Sequence, residues 1–202
     1  MLGISICSTC RASWHLHIYS REIYVAHENF PVLSAIQYSP IASRVLLSAK
    51  EGHIKSADKL IIAGLSHSLQ IFFSRYGVAN LVPVPSRISA TRKRGRDFLH
   101  EIAFELAAEK DVQALFPLRH SRKVRDQSAL NFVQRSQNIS RAFTVLPQYG
   151  ESIFPGNKAQ PVIVIDDLIT TGATLQEAIR ALRTAGFAVL GAVTSCTAKP
   201  LR

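Results

Sequence analysis

The sequence predicts an α/β protein with an open, mainly parallel sheet flanked by helices. Residues 162–165 are four consecutive β-branched residues, which is typical of a strand buried on both faces. Leu175, Ile179 and Leu182 follow that strand at the spacing of an amphipathic helix. A second strand, loop and helix are predicted over 78–110, and strands that alternate with helices favour a parallel sheet.

The other elements follow from periodicity and from turn residues. In chain order, the pattern predicts a strand over 32–38, helices over 41–49 and 56–76, a strand over 78–83, a basic loop over 86–96, a helix over 97–110, a short strand over 113–118, a helix over 127–138, a brief strand over 143–146 and a last strand over 188–196. We expect Ser56 and Asp97 to cap their helices, Gly77 to end one, and Cys196 to be a buried thiol.

Length and composition limit the number of domains and the class of protein. Its 202 residues suffice for one α/β domain with a short appendage, so we divide it into an N-terminal extension, 1–31, and a domain, 32–202. A hydrophobic fraction of 47% and a charged fraction of 19% are typical of a soluble chain with a core. No apolar run approaches a membrane span, and the first residues lack the features of an export signal, so we expect a cytoplasmic protein.

The charge is strongly basic, with a formal net charge of +10. Such an excess favours a polyanionic partner, for example nucleic acid, polyphosphate or a phosphorylated substrate. The cations form two clusters, Arg87, Arg92, Lys93, Arg94 and Arg96, and Arg119, Arg122, Lys123 and Arg125. The alternative for each cluster is a solvated surface loop.

The loop after the strand at 162–165 has the composition of a phosphate site. Backbone amides over 170–174, the flexible Gly172 and the start of a helix can together hold an anion. Asp166 and Asp167 precede that loop and can accept hydrogen bonds from a sugar diol, with Mg²⁺ nearby. The pattern therefore favours a ribose 5-phosphate; the alternative is a buried strand and helix whose acids only cap the helix or face solvent.

Residues 162–174 resemble the 13-residue motif with which type I phosphoribosyltransferases bind 5-phosphoribosyl 1-pyrophosphate (PRPP). The resemblance implies their fold. It also implies that Asp166 and Asp167 are the catalytic pair that contacts the ribose hydroxyls, and that the 5-phosphate is held by Thr170, Thr171, Gly172, Ala173 and Thr174. Purine-salvage members often carry Asp where Thr170 stands, so a 6-oxopurine substrate is disfavoured.

Further short motifs, over about residues 32 to 198, resemble the ComF family, named for a competence protein in bacterial DNA uptake. These motifs are Val82-Pro83-Val84-Pro85-Ser86, Arg94-Gly95, and Arg125-Asp126-Gln127 with Arg135 and Asn138 ahead of Phe143. The resemblance implies that Pro83 to Ser86, with Pro85 and Ser86 as the binding residues, form the pyrophosphate-binding turn, and that Arg92, Lys93 and Arg94 supply the countercharge. Members commonly read Arg-Gly-Phe-Asn-Gln where this chain has Arg94-Gly95-Arg96-Asp97-Phe98, so local contacts can differ.

The charged stretch at 119–126 and the predicted helix behind it are expected to form a lid over a bound polyphosphate. Arg125, Gln127, Arg135 and Asn138 match family positions in this region. The alternative for Gln127, Arg135 and Asn138 is a network in which they satisfy one another.

Cys7 and Cys10 have the spacing of half a zinc site. An N-terminal zinc module with two cysteine pairs is typical of the ComF family, and this chain keeps one pair. We therefore interpret 1–31 as a remnant of a zinc-finger-like module. The alternative is two ordinary thiols on a loosely ordered terminus.

Three functional hypotheses follow. The first is a transferase that displaces Mg-pyrophosphate from C1 of PRPP by positioning and charge stabilisation, without a protein nucleophile. The second is a protein of the DNA uptake machinery that binds single-stranded DNA and has a non-catalytic PRPP site. The third is a regulator that senses PRPP. The sequence leaves turnover and the acceptor substrate open.

Overall fold

The computed structural model describes residues 6–52, 54–121, 141–149 and 160–198. Its elements in chain order are α1 (Ser8–Ala12), β1 (Tyr19–Val25), β2 (Glu28–Gln37), α2 (Pro40–Lys50), α3 (Lys55–Tyr76), β3 (Asn80–Pro83), α4 (Ile88–Arg94), α5 (Phe98–Lys110), β4 (Leu118–His120), β5 (Phe143–Val145), a 3₁₀ turn (Pro147–Tyr149), β6 (Val162–Ile169), α6 (Ala173–Thr184) and β7 (Val189–Thr197). Among these described segments, no helix is both long and apolar enough to cross a membrane.

A five-stranded sheet forms the centre, in the order β1-β2-β7-β6-β3. β2, β7, β6 and β3 are parallel, and β1 pairs antiparallel with β2 at the edge. Helices α3 and α5 contact each other and the sheet, whereas α6 connects β6 to β7 and packs against β1, β6 and β7. The connection from β2 to β3 crosses the sheet in one direction, and the connection from β6 to β7 crosses it in the other. Because such crossovers are right-handed, α3 and α6 lie on opposite faces of the sheet. The predicted mainly parallel sheet with flanking helices is confirmed.

The predicted helix ends are confirmed at two positions and wrong at a third. Gly77 ends α3 with a φ of 99°, and the Asp97 side chain accepts from the His100 N–H at the start of α5. Ser56 does not cap α3, which begins after Ile54; its hydroxyl instead accepts from the Ile6 N–H. Cys196 is buried as expected, and burial raises the pKa of its thiol to about 12.

The predicted basic loop over 86–96 contains a short helix, α4. Alanine, arginine and lysine have high helix propensity, and the segment from Ile88 to Arg94 has neither glycine nor proline to interrupt it. Gly95 ends the helix in the left-handed conformation, with a φ of 69°.

The predicted strand over 113–118 is wrong. Ala114 forms a single parallel bridge with Leu81, and Pro117 precedes the strand that does form, β4. β4 pairs antiparallel with β5, which is the brief strand predicted over 143–146, in a small separate sheet. The predicted helix over 127–138 lies outside the described residues.

The N-terminal segment contributes an edge strand to the sheet. β2 begins at Glu28 rather than at 32, and β1 pairs with it from Tyr19 to Val25. Ala26 and His27 turn the chain with φ values of 48° and 71°, the conformation of a two-residue hairpin loop. Neither residue is a glycine or an asparagine, so the sequence carried no hairpin signal. The boundary between 1–31 and 32–202, which this hairpin crosses, stays a prediction.

Candidate functional site

A cavity of about 760 Å³ opens at the carboxyl edge of the sheet. The loops that follow β3 and β6 form two of its walls, the end of α2 a third, and β4 and β5 a fourth. Parallel strands present their carboxyl ends at one edge, where open α/β sheets bind ligands. The predicted site residues among the lining are Pro85, Ser86, Arg94, Asp166, Asp167, Thr170 and Thr174.

The carboxylate pair lies in the second half of β6, where Asp166 is 9% exposed and Asp167 4% exposed. The Asp167 N–H donates to Asp166 Oδ1 at 2.9 Å. Burial and the neighbouring Asp167 raise the pKa of Asp166 well above its ordinary value. Burial also acts to raise the pKa of Asp167, but the charge of Lys50 and hydrogen bonds from Asp166 and Lys50 outweigh it, so this pKa is lowered. The pair therefore combines a carboxyl that tends to keep its proton with one that ionises readily.

Lys50, which we did not predict as a site residue, supplies the positive charge. Its Nζ lies 2.6 Å from Asp167 Oδ2. Lys50 stands one helical turn after Leu46, and both residues line the cavity. A lysine on the apolar face of α2, next to the buried Ala49, was the signal available in the sequence.

The loop between β6 and α6 forms the second part of the site. Thr170 and Thr174 line the cavity, and Gly172 immediately precedes α6 with a φ of 88°. Thr171 Oγ1 accepts from the Ala173 N–H at 3.3 Å, so one predicted amide donor already has a partner inside the loop. Gly172 and Ala173 are buried beneath the surface that the threonines form. The arrangement places two hydroxyls and a helix start at one side of the cavity.

The opposite wall carries part of the predicted countercharge. Arg94 lines the cavity, and its Nε and Nη2 each lie 2.8 Å from Glu51 Oε1. Ser86 also lines the cavity and donates to Asp97 Oδ1 at 2.8 Å. Arg92 and Lys93 are exposed and do not line it. The structure thus brings Arg94 to the site and leaves its two neighbours at the surface of α4.

Arg96, the last cation of the first basic cluster, is buried rather than solvated. Its side chain is 7% exposed, with Nη1 3.0 Å from Asp58 Oδ2 and Nη2 2.7 Å from Glu101 Oε2. Its guanidinium also lies over the ring of Phe98. Within this cluster, Arg94 and Arg96 are therefore both paired with acids, Arg94 at the surface and Arg96 with a buried side chain.

β4 and β5 carry His120 and Phe143 to the cavity as a cross-strand pair whose ring centroids are 5.0 Å apart. His120 Nε2 is 3.0 Å from the Pro85 carbonyl oxygen, and burial lowers the pKa of His120. Since a carbonyl only accepts, Nε2 carries the proton in this contact. His120 could not be predicted from the sequence, because only the pairing of β4 with β5 brings it to the site.

Buried Glu177 holds this strand pair against α6. Its Oε1 accepts from the Phe143 N–H at 3.1 Å and from Arg180 Nη2 at 2.8 Å. Arg180 also donates to the Phe143 carbonyl at 3.1 Å. The helix that begins at the threonine loop thereby also positions the wall formed by β4 and β5.

Two groups of predicted residues are not part of the described cavity. Cys7 and Cys10 stand at the start of α1, where Cys7 Sγ accepts from the Cys10 N–H at 3.4 Å. Within the described residues, no group of three or more histidine, cysteine or acidic side chains is arranged to hold a metal ion. The zinc site stays a prediction. Arg125, Gln127, Arg135 and Asn138 lie outside the described residues.

Chemically, the cavity can bind a ligand that has hydroxyl groups at one point and anionic groups at two others. Residues 90–201, more than half of the chain, match the family model of the phosphoribosyl transferase domain. No curated protein matches the chain.

Proposed function

Because the chain belongs to the phosphoribosyl transferase domain family, we propose that its cavity binds PRPP and that Asp166 and Asp167 hold the ribose. The main support is that one cavity gathers the carboxylate pair, the threonine loop and the wall with Arg94. These three groups correspond to the three polar parts of PRPP, which are its diol, its 5-phosphate and its pyrophosphate.

The carboxylate pair suits the 2- and 3-hydroxyls of the ribose. Ionised Asp167 can accept from one hydroxyl, while Asp166, whose pKa is raised by burial, can also donate when protonated. Lys50 keeps Asp167 ionised and leaves some of its own donors for the ligand. In this proposal the pair orients the sugar and does not attack it.

The threonine loop suits the 5-phosphate. Thr170 and Thr174 can donate hydroxyl hydrogen bonds, and the positive end of the α6 dipole favours an anion. Thr171, Gly172 and Ala173 complete the loop without lining the cavity, and Gly172 permits the turn that leads from Thr170 into α6.

The pyrophosphate belongs, in this proposal, between the turn at Pro85 and Ser86 and the side chain of Arg94. Arg94 is paired with Glu51, so a bound pyrophosphate has to compete with that carboxylate. Arg92 and Lys93, which lie on the outside of α4, can act only by long-range attraction.

Mg²⁺ fits this donor set, because carboxylate and phosphoryl oxygens are its preferred ligands. Asp166 together with the oxygens of PRPP would hold it, with Asp166 giving up the proton that burial favours, and when bound it would neutralise charge on the leaving pyrophosphate. Lys50 already supplies a cation beside Asp167, which makes Asp166 the better candidate of the two carboxylates.

Phosphoribosyl transfer would displace pyrophosphate from C1 of PRPP through a cation-like sugar. Such a reaction needs no nucleophile from the protein, so these side chains would act by positioning and by stabilising charge. An acceptor would enter beside His120 and Phe143, which form the remaining wall of the cavity.

Calorimetric titration with PRPP, with and without Mg²⁺, tests the proposal directly. We expect saturable binding by the parent protein, and a loss of at least about tenfold in Asp167→Asn, which removes a charged acceptor. Glu105→Gln is the matched control, because it also replaces a carboxylate by an amide and Glu105 is exposed on α5, outside the cavity. No binding by the parent, or equal binding by Asp167→Asn, Asp166→Asn and the control, would contradict the proposal.

The narrower assignment to the ComF family, with a cytoplasmic role in DNA uptake and competence, is part of the same proposal and depends on the motifs at 82–86, 94–95 and 125–127. Direct binding of single-stranded DNA is supported by the net charge of +10 and by the exposed Arg92 and Lys93. Binding should then weaken linearly with the logarithm of salt concentration and should fall in an Arg92→Ala, Lys93→Ala variant. Salt-insensitive or absent DNA binding would contradict the DNA-binding role and leave the PRPP site as the supported part of the proposal.

A PRPP sensor would use the same cavity without turnover. Pyrophosphate release measured with a panel of bases and amines as acceptors separates the two roles, because a sensor binds PRPP and releases nothing above the background rate.

A further inference from the structure

The edge strand β1 runs alongside the threonine loop and contacts it at three points. Arg21 Nη1 donates to the Thr170 carbonyl at 2.9 Å. The Ile23 side chain lies against Gly172, where an added Cβ would come within 2.9 Å of Ile23 Cγ2. The Tyr24 carbonyl accepts from Gln176 Nε2 at 3.2 Å. Three residues of β1 thus contact the loop, from its first residue to the first turn of α6.

Arg21 makes the contact at the start of this loop. Besides Thr170, its Nη1 donates to the Ala198 carbonyl at 3.2 Å, so one guanidinium joins the ends of β6 and β7. A charged donor makes a stronger hydrogen bond than a neutral one. Arg21 does not line the cavity and acts from behind the loop.

This hydrogen bond sets the orientation of one peptide group. In a planar trans peptide the C=O and the following N–H point in opposite directions. No described peptide bond is cis, so a Thr170 carbonyl held by Arg21 turns the Thr171 N–H away from Arg21. Without the guanidinium, that peptide could rotate and offer its carbonyl oxygen, which repels an anion.

We propose that Arg21 is a positioning residue for the threonine loop, which it holds in the orientation that accepts the 5-phosphate of a phosphoribosyl ligand. This inference rests on the proposed function. It makes the hairpin of β1 and β2 a part of the ligand site, although the sequence suggested an appended segment. It also predicts which end of the ligand Arg21 affects: the 5-phosphate, and not the pyrophosphate held near Arg94.

Calorimetric titrations with PRPP, ribose 5-phosphate and inorganic pyrophosphate distinguish effects at the 5-phosphate end of the ligand from effects at its pyrophosphate end. In Arg21→Met we expect affinity for PRPP and ribose 5-phosphate to fall about tenfold, as for the loss of one charge-assisted hydrogen bond, with pyrophosphate affinity unchanged. In Arg94→Met, affinity for PRPP and for pyrophosphate should fall, with ribose 5-phosphate affinity unchanged. Arg21→Lys, which keeps a charged donor, should recover part of the lost affinity.

Arg183→Met is the matched control. Arg183 also ties α6 to the hairpin, through Glu28 at 2.6 Å and 2.8 Å, but it does not touch the loop. Circular dichroism and thermal unfolding establish that each variant is folded before titration. If Arg183→Met loses ribose 5-phosphate affinity as Arg21→Met does, the hairpin acts through general stability and the inference is overturned.

Unchanged ribose 5-phosphate affinity in Arg21→Met, or an equal loss for all three ligands, also overturns the inference while leaving the proposed function intact. If the parent protein binds neither PRPP nor ribose 5-phosphate, the proposed function itself fails, and the role of Arg21 fails with it.

Discussion

Lys50 Nζ lies 2.6 Å from Asp167 Oδ2, which joins the last residue of α2 to the carboxylate pair in the second half of β6. The Asp167 side chain is 5% exposed and that of Lys50 27% exposed, so solvent reaches the lysine but barely the acid. A carboxylate this buried needs a partner to stay ionised. Lys50 is therefore both a structural counterion and a member of the site.

Lys50→Met should destabilise the protein in a pH-dependent way. The lowered pKa of Asp167 contributes stability that is present above its unfolded value, about 4, and is lost as pH falls through the folded value. We expect a loss of about 2 kcal/mol at pH 7, below the 3–5 kcal/mol of fully buried pairs because Lys50 is partly exposed. Urea unfolding at pH 7 and near pH 3 measures this, with Lys50→Arg as the control that keeps the charge. An equal loss at both pH values would mean that packing, and not the ion pair, is responsible.

Asp166→Asn should stabilise the protein while it weakens PRPP binding. Burial raises the pKa of Asp166, so the stability that this carboxyl contributes falls as pH rises from about 4 through the raised value. Asparagine has no charge to bury and keeps an oxygen for the Asp167 N–H. We expect a gain on the order of 1 kcal/mol at pH 7, which shrinks towards pH 4, in unfolding without ligand or Mg²⁺. A variant less stable than the parent at pH 7 would refute this interpretation.

Glu51→Gln should strengthen pyrophosphate binding. Glu51 holds Arg94 at 2.8 Å and lines the same cavity, so it competes with an anion for the guanidinium and also repels it. We expect a several-fold gain in affinity for inorganic pyrophosphate, with a change in unfolding free energy below about 1 kcal/mol, as for other exposed ion pairs. Calorimetry at low and high salt measures the gain, which should diminish at high salt. Glu105→Gln, on the exposed side of α5, serves as the control; equal affinities in both variants would remove Glu51 from the site.

Glu177→Ala should loosen the wall formed by β4 and β5. The substitution leaves the Phe143 N–H without its acceptor and Arg180 without its partner, at a cost of about 3 kcal/mol. Hydrogen exchange should show lost protection at the Phe143 amide, with little change at Ala192 in the central strand β7 beyond the global loss of stability. Glu177→Gln keeps an acceptor, so protection of its Phe143 amide should lie between that of the parent protein and that of Glu177→Ala. Uniform loss of protection would mean that Glu177 supports the whole fold and not this wall.

The features that the sequence predicted well are those encoded locally. The β-branched run at 162–165, the acids after it and the glycine in the loop lie within one short stretch, so their order determines where each stands. The same holds for Gly77 and Asp97 at helix ends. The class of the fold and one side of the cavity were therefore predictable.

The features that the sequence missed depend on contacts between distant segments. Lys50 reaches Asp167 only because α2 ends above β6, and His120 reaches the cavity only through its pairing with Phe143. Arg94 and Arg96 looked alike as surface cations, yet one lines the cavity and the other is buried against Asp58. Charge patterns in a sequence indicate how much charge a segment has, but not which acids will neutralise it.

The buried Cys196 gives the native chain a built-in selectivity towards thiol reagents. With a pKa of about 12 and no exposed surface, its sulfur is almost never a thiolate at neutral pH, whereas Cys7 is exposed and hydrogen bonds within α1 lower its pKa. A maleimide dye should therefore attach to the amino-terminal helix and spare the core, so that the protein can carry a fluorescent reporter without any engineered residue.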